Sequence, residues 1–189
     1  MKYTEKIYRA IKFASKTHQV YQDQKRKGKA IPYITHPLTV GLILSIHGAN
    51  EDAICAGILH DTIEDSPKEK KVTEEMLVER FGENIAELVA SVTDNKQLDR
   101  EARKKDVLSK IRKYSHDSVM IKSADVLSNV SEILDDHGRS GDEIFLRFSE
   151  PKTKTIEKYL NIITALAGRW PECPMKDELA ALANELVKL

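Results

Sequence analysis

From Thr4 to about Gln19 the apolar residues Ile7, Ile11, Phe13 and Ala14 recur at helical spacing, with Thr4 placed as an N-cap. A second apolar run opens at Thr35-His36-Pro37 and reaches Ile46; Pro37 suits a first helical turn and Gly48 the residue just past the end. The third run differs in kind. Ala53, Ile54, Ala56, Ile58 and Leu59 are apolar nearly all round, which is the pattern of a helix inside a core. Asn50 is its expected cap, and the helix is expected to continue through the acidic pair Glu64-Asp65 until Pro67 stops it. Thr73 then caps a helix with Met76, Leu77 and Phe81 inward, Gly82 breaks it, and Ile85, Leu88, Val89 and Val92 form the next. A charged stretch from Thr93 leads into a helix facing inward through Val107, Leu108 and Ile111. From Ser118 to about Leu134 a longer apolar face follows, with Asp117 or Ser118 as its cap. After a turn at 140–142, helices are expected from about Pro151 to Ala167 and from Asp177 onward. No segment alternates with a period of two, and there is no Asn-Gly or Asp-Gly hairpin signal. The expectation is an all-α fold of about eight or more helices in one domain, 1–189.

The polar positions add chemistry to this scaffold. His60, Asp61, Glu64 and Asp65 fall within two turns at the mouth of the buried helix, a place ionisable groups occupy when paired or bound to a metal. On the long helix Ser118, Lys122, Asp125, Asn129 and Glu132 recur at spacings of four, three, four and three, one polar stripe whose middle is expected to line a cavity. His36 opens its helix beside a basic connection carrying Lys25, Arg26, Lys27 and Lys29. His36, His60, Asp61 and Asp125 together would make a mixed imidazole and carboxylate site suited to Mn²⁺ or Fe²⁺, with Zn²⁺ or Mg²⁺ as alternatives. A second His-Asp pair, His116-Asp117, lacks acidic neighbours one turn on and reads as a helix start; His18, His47 and His137 read as structural or surface residues.

Composition narrows the classes. Thirty basic and thirty acidic residues balance, so the chain as a whole is not expected to bind nucleic acid. Two cysteines, Cys55 and Cys173, point to reduced thiols and a cytoplasmic protein. No apolar run reaches the ~18 residues of a membrane span, and the N-terminus has no signal-peptide pattern. A homo-oligomer is compatible with the sequence.

Five segments in register carry a resemblance: Arg26-Lys27 before Pro32-Tyr33-Ile34-Thr35-His36-Pro37, then Leu59-His60-Asp61-Thr62-Ile63-Glu64-Asp65, then Val92 to Lys96, then Ile121 to Asn129. The chain resembles the HD superfamily of metal-dependent phosphohydrolases, specifically the hydrolase domain of RelA/SpoT-type enzymes and the stand-alone small alarmone hydrolases, over a core of 4–168. The resemblance implies Mn²⁺-dependent removal of the 3′-pyrophosphate from ppGpp or pppGpp, the signals of the stringent response. It implies that His36, His60, Asp61 and Asp125 hold the metal and that Glu64 and Asp65 handle the attacking water. It further implies that Arg26 and Lys27 pack on the base, that Asn129 lies near the ribose, and that Lys96 and Arg147 contact phosphates. Two positions depart from the family: Val126 replaces a basic residue, and Ser128 a His or Tyr. A phosphohydrolase acting on ppApp or NADPH, or a catalytically weak nucleotide sensor, are the alternative readings.

Overall fold

In the computed structural model, which describes residues 2–189, the apolar runs become α1 (Glu5–Ser15), α2 (Thr35–Ile46), α3 (Glu51–Leu59), α4 (Thr62–Asp65), α5 (Glu74–Phe81), α6 (Glu83–Val92), α7 (Arg100–Ile111), α8 (His116–Ser140), α9 (Lys152–Arg169) and α10 (Lys176–Lys188). Among the described residues there is no strand, so the all-α expectation holds. All seven residues from Ala53 to Leu59 are buried, and α3 forms the axis on which α1, α2, α6 and α8 pack. α9 and α10 close the far side of α8. No described helix is long and apolar enough to cross a membrane.

The caps follow from the sequence in most places. Thr4, Asn50 and Thr73 each accept a backbone N–H of the first turn, satisfying a donor that the helix leaves orphaned. α8 begins differently: Ser115 is the cap, accepting from Ser118 N, rather than Asp117 or Ser118. Asp117 instead accepts a hydrogen bond from Asn50, and the Ser118 hydroxyl is taken up by Ser91 and Ser115. α8 also runs six residues past Leu134, until Gly141 at φ +60° ends it. Its extra turns are polar because they face the basic loop and solvent, which the apolar pattern alone did not register.

The helix expected across 50–66 is interrupted. His60 and Asp61 form a turn between α3 and α4. Two side-chain bonds compete with the helical ladder there: His60 Nδ1 donates to the Gly57 carbonyl at 2.7 Å and the Thr62 hydroxyl to the Leu59 carbonyl at 2.7 Å. α1 likewise passes into a π-helical turn, Lys16–Val20, before the chain leaves it.

α2 and α3 lie in close contact through two glycines. A Cβ on Gly41 would stand 2.6 Å from Ile58 Cγ1, and one on Gly57 would overlap Leu44 Cδ1 more severely. The approach brings the start of α2 over the end of α3, and with it His36 over His60.

Candidate metal centre

Residues 24–33 form a tight hairpin closed by a Lys25–Pro32 bridge, with Tyr33 N donating to Gln24 O and Arg26 N to Ile31 O. This hairpin delivers Tyr33 and then His36 to the mouth of α3. His36 and His60 are 3% and 5% exposed and Asp125 9%; their donor atoms all lie within 4.8 Å of one another. The two Nε2 atoms are 3.3 Å apart, about the separation of neighbouring ligands each ~2.1 Å from one tetrahedral ion. Asp125 Oδ1 stands 3.3 Å from His36 Nε2 and 3.9 Å from His60 Nε2. Asp61 is at the edge of this group, its Oδ2 3.0 Å from His60 Nε2 and 3.7 Å from His36 Nε2.

Each ligand-type side chain is oriented by a second contact. The Gly57 carbonyl fixes the His60 proton on Nδ1 and leaves the Nε2 lone pair pointing into the cluster. His36 Nδ1 meets Ser128 Oγ at 2.9 Å, so the residue that departs from the family pattern serves His36. The Tyr33 hydroxyl donates to Asp61 Oδ2, and Asn129 Nδ2 donates to Asp125 Oδ1 at 2.6 Å. Lone pairs of two imidazoles and a buried carboxylate thus converge on one point, and this donor set fits a divalent cation.

The electrostatics add a competition to that geometry, because a cation and a proton contend for the same His60 Nε2 lone pair. Burial pulls the His60 imidazole down, but the Asp61 and Asp125 carboxylates outweigh it and hold it up at about 9. Burial pushes Asp61 and Asp125 up, yet the imidazoles, and for Asp125 the Lys122 ammonium first, draw both below the carboxylate range. Lys122 donates to Asp125 Oδ2 at 2.8 Å. Its amine is favoured in the charged form because Asp125 and Asp94 together exceed the cost of burial.

Glu64 and Asp65 sit on α4 with different surroundings. Burial first, and then the Asp61, Asp94 and Asp65 carboxylates, push Glu64 up to about 7. It lines the same cavity of about 150 Å³ as the histidines, and accepts from Asp94 N at 3.2 Å. Asp65 is gripped on both oxygens, by Gln24 Nε2 at 3.0 Å and by Lys96. Gln24 is held in turn by the fully buried His18, whose Nδ1 is 2.7 Å from Gln24 Oε1 and whose ring packs on Tyr33.

Of the remaining sequence candidates Asn129 lines the cavity, whereas Arg26, Lys27 and Arg147 do not and are engaged with neighbouring side chains. Arg26 donates to Glu132 Oε2 and to Asn129 Oδ1 at 2.8 Å, and its guanidinium lies 5.5 Å from the Tyr33 ring. Lys27 and Arg147 both reach over Phe148, and Arg147 pairs with Asp136. The middle of the polar stripe, Lys122, Asp125 and Asn129, lines the cavity as expected, whereas Ser118 does not. Gln24 and His18 carried no signal as site residues, while Tyr33 and Ser128 stood within the resembling segments without a role. Tyr33 and Gln24 flank the basic loop on either side, and a hairpin there is the one pattern that could have directed attention to them.

The model of the HD domain matches residues 10–147. The chain is 33% identical over 94% of its length to a guanosine-3′,5′-bis(diphosphate) 3′-pyrophosphohydrolase of Aquifex aeolicus, of whose length it spans only 23%. It is 33% identical over 69% of its length to the zebrafish (Danio rerio) enzyme of that name, MESH1, covering 70% of that protein. Among solved structures, a Listeria monocytogenes protein superposes with a TM-score of 0.73 at 30% identity over 82% of this chain and 99% of the other. A metazoan SpoT orthologue, described as hydrolysing ppGpp, superposes at 0.78 over 100% and 97%; at 22% identity it speaks for the fold. The chain belongs to the HD-domain family and stands with its RelA/SpoT-type hydrolase domains.

Proposed function

We propose that the chain is a metal-dependent (p)ppGpp 3′-pyrophosphohydrolase, converting ppGpp or pppGpp to GDP or GTP and pyrophosphate. The observation that carries this reading is the juxtaposition of the His36–His60–Asp125 cluster with a near-neutral Glu64 in one cavity. The likeness to the zebrafish hydrolase over most of that protein's length supports the substrate class.

In this reading His36, His60, Asp125 and Asp61 hold the ion, Mn²⁺ before Fe²⁺, Zn²⁺ or Mg²⁺. When bound, the ion supplies Lewis acidity and neutralises phosphoryl charge. Glu64, poised at about 7, accepts a proton from the attacking water. Asp65 cannot swing, because Gln24 and Lys96 hold its two oxygens, so it orients the water. Water oxygen joins the 3′-phosphorus, the bond to the ribose 3′-oxygen breaks, and that oxygen takes up a proton. Arg26 and Lys27 flank the base, Asn129 faces the ribose, and Lys96 and Arg147 face phosphates.

The test is product analysis by ion-exchange chromatography with ppGpp, ppApp and NADPH offered side by side in Mn²⁺. Conversion of ppGpp to GDP and pyrophosphate, abolished by EDTA, is the expected result. Turnover of NADPH or ppApp alone would move the substrate, and turnover of none with metal bound would make the chain a nucleotide sensor.

A further inference from the structure

A second cluster of cations lies beside the metal cavity and has no part in the reading above. Arg100, Arg103 and Lys104 on α7 and Lys158 on α9 line a separate cavity of about 140 Å³. Asp94, Lys158 and Ile162 line both cavities, so the two spaces share a wall.

The new cavity is poorly neutralised from within. Arg100 donates to the Ser149 carbonyl at 2.9 Å, and Arg103 Nη2 donates to the Lys96 and Leu98 carbonyls at 3.1 Å. Arg103 Nε is buried and has no partner. Of the four cations, Lys104 alone has a carboxylate within 4 Å among the described residues, that of Glu157 at 3.3 Å. Against four positive charges the cavity wall carries Asp94 and Glu150. Neutral carbonyl partners fix guanidinium groups without cancelling their charge, so a multiply charged oxyanion is the chemistry this wall favours.

Its position says which anion. Asn129, Asp125 and Lys122 follow one another along about two turns of α8, roughly 10 Å. Arg26 binds Asn129 at one end, the His36–His60 cluster meets Asp125 in the middle, and Lys122 shares the far end with Asp94. A nucleotide with its base toward Arg26 and its reacting phosphorus at Asp125 therefore points its next phosphate past Asp94 into the cation cavity. We propose that this cavity is the subsite for the distal phosphate of the 3′-pyrophosphoryl group, and for inorganic pyrophosphate once released; the assignment rests on the proposed hydrolase reading.

Inorganic pyrophosphate is the probe, titrated calorimetrically into Mn²⁺-loaded protein with Mn²⁺ in excess of pyrophosphate. The double variant Arg100→Gln/Lys158→Gln should bind it at least about tenfold more weakly, with metal content, thermal midpoint and GDP affinity unchanged. Lys158→Arg, which keeps the charge, should bind like wild type and provides the control for misfolding. Equal pyrophosphate affinity in wild type and double variant, or no binding by wild type, would overturn the subsite. Loss of GDP affinity instead would overturn it too, by assigning the cavity to the 5′-phosphates. Because the titration needs no turnover, failure of ppGpp hydrolysis would sink the hydrolase reading separately.

Discussion

The two ends of the polar face of α8 use similar residues and reach opposite states. At the Asp125 end, two imidazole Nε2 atoms and a carboxylate oxygen converge on one point, each fixed from behind by Gly57, Ser128, Asn129 or Lys122. At the other end, Glu132 and Asp136 are met by Arg26, Lys29 and Arg147, so that opposite charges satisfy one another. Charge density does not separate the two. What does is the direction in which unused lone pairs point: inward to a shared space in one case, onto a neighbour in the other. The first end is built to receive something, and the second must exchange an internal partner before it can contact a ligand.

The largest effect that would break this contrast lies at the converging end. His60→Ala or Asp125→Ala should remove bound metal and turnover together, on the order of a thousandfold or more in kcat, read by metal analysis after dialysis and by ppGpp assay. Retained metal in either variant would mean that the convergence is incidental. Glu64→Gln should keep the metal and lower kcat by about 10²–10⁴-fold. Its pH signature is separate. The Glu64 carboxyl rises from 4.5 to about 7 on folding, so its contribution to stability is present below pH 4.5 and lost as pH climbs through 7. In EDTA, Glu64→Gln should therefore be more stable than wild type at pH 8, by about 2–3 kcal/mol, and no more stable at pH 4; equal denaturation midpoints at pH 8 would argue against a buried, charge-crowded carboxyl.

At the satisfied end the effects should be smaller and fall on binding and folding. Arg26→Ala should raise KM about tenfold with a lesser change in kcat, and an unchanged KM would return the hairpin to a purely structural role. Glu132→Gln should cost about 1–2 kcal/mol of unfolding free energy in denaturant titration while leaving metal content intact, because Arg26 and Lys29 lose a shared partner. The smallest effect belongs to a residue between the two networks. Gln24→Ala frees one oxygen of Asp65 and should lower kcat by about threefold with KM unchanged; a change in KM alone would mean Asp65 serves substrate binding rather than the attacking water.

Much of the scaffold was legible because helical period and cap chemistry are local. Asn50, Thr73 and the all-round apolar run of α3 announce themselves within a few residues. His36, His60 and Asp125 were legible for another reason, since few side chains can ligate a cation and these lie beside helix termini or on a polar stripe. The supporting contacts were not legible. Tyr33 reaches Asp61 across 28 residues, Gln24 reaches Asp65 across 41, and Ser128 reaches His36 across 92, and nothing local marks a tyrosine, glutamine or serine for such a partner. The interruption at His60 was missed on the same ground. Whether a side chain takes a carbonyl from the helical ladder depends on where the neighbouring elements need that side chain to point.

The contact of Gly41 and Gly57 at the α2–α3 crossing carries a consequence for the spacing of the site. The span between the two imidazoles is gauged by the absence of two methyl groups against Ile58 and Leu44, in the apolar layer behind the site. Resizing core residues at that crossing would therefore change the separation of His36 and His60 without replacing either. Two chains that carry both histidines can in this way differ in the spacing of their imidazoles, and the difference is to be sought in the hydrocarbon of the crossing.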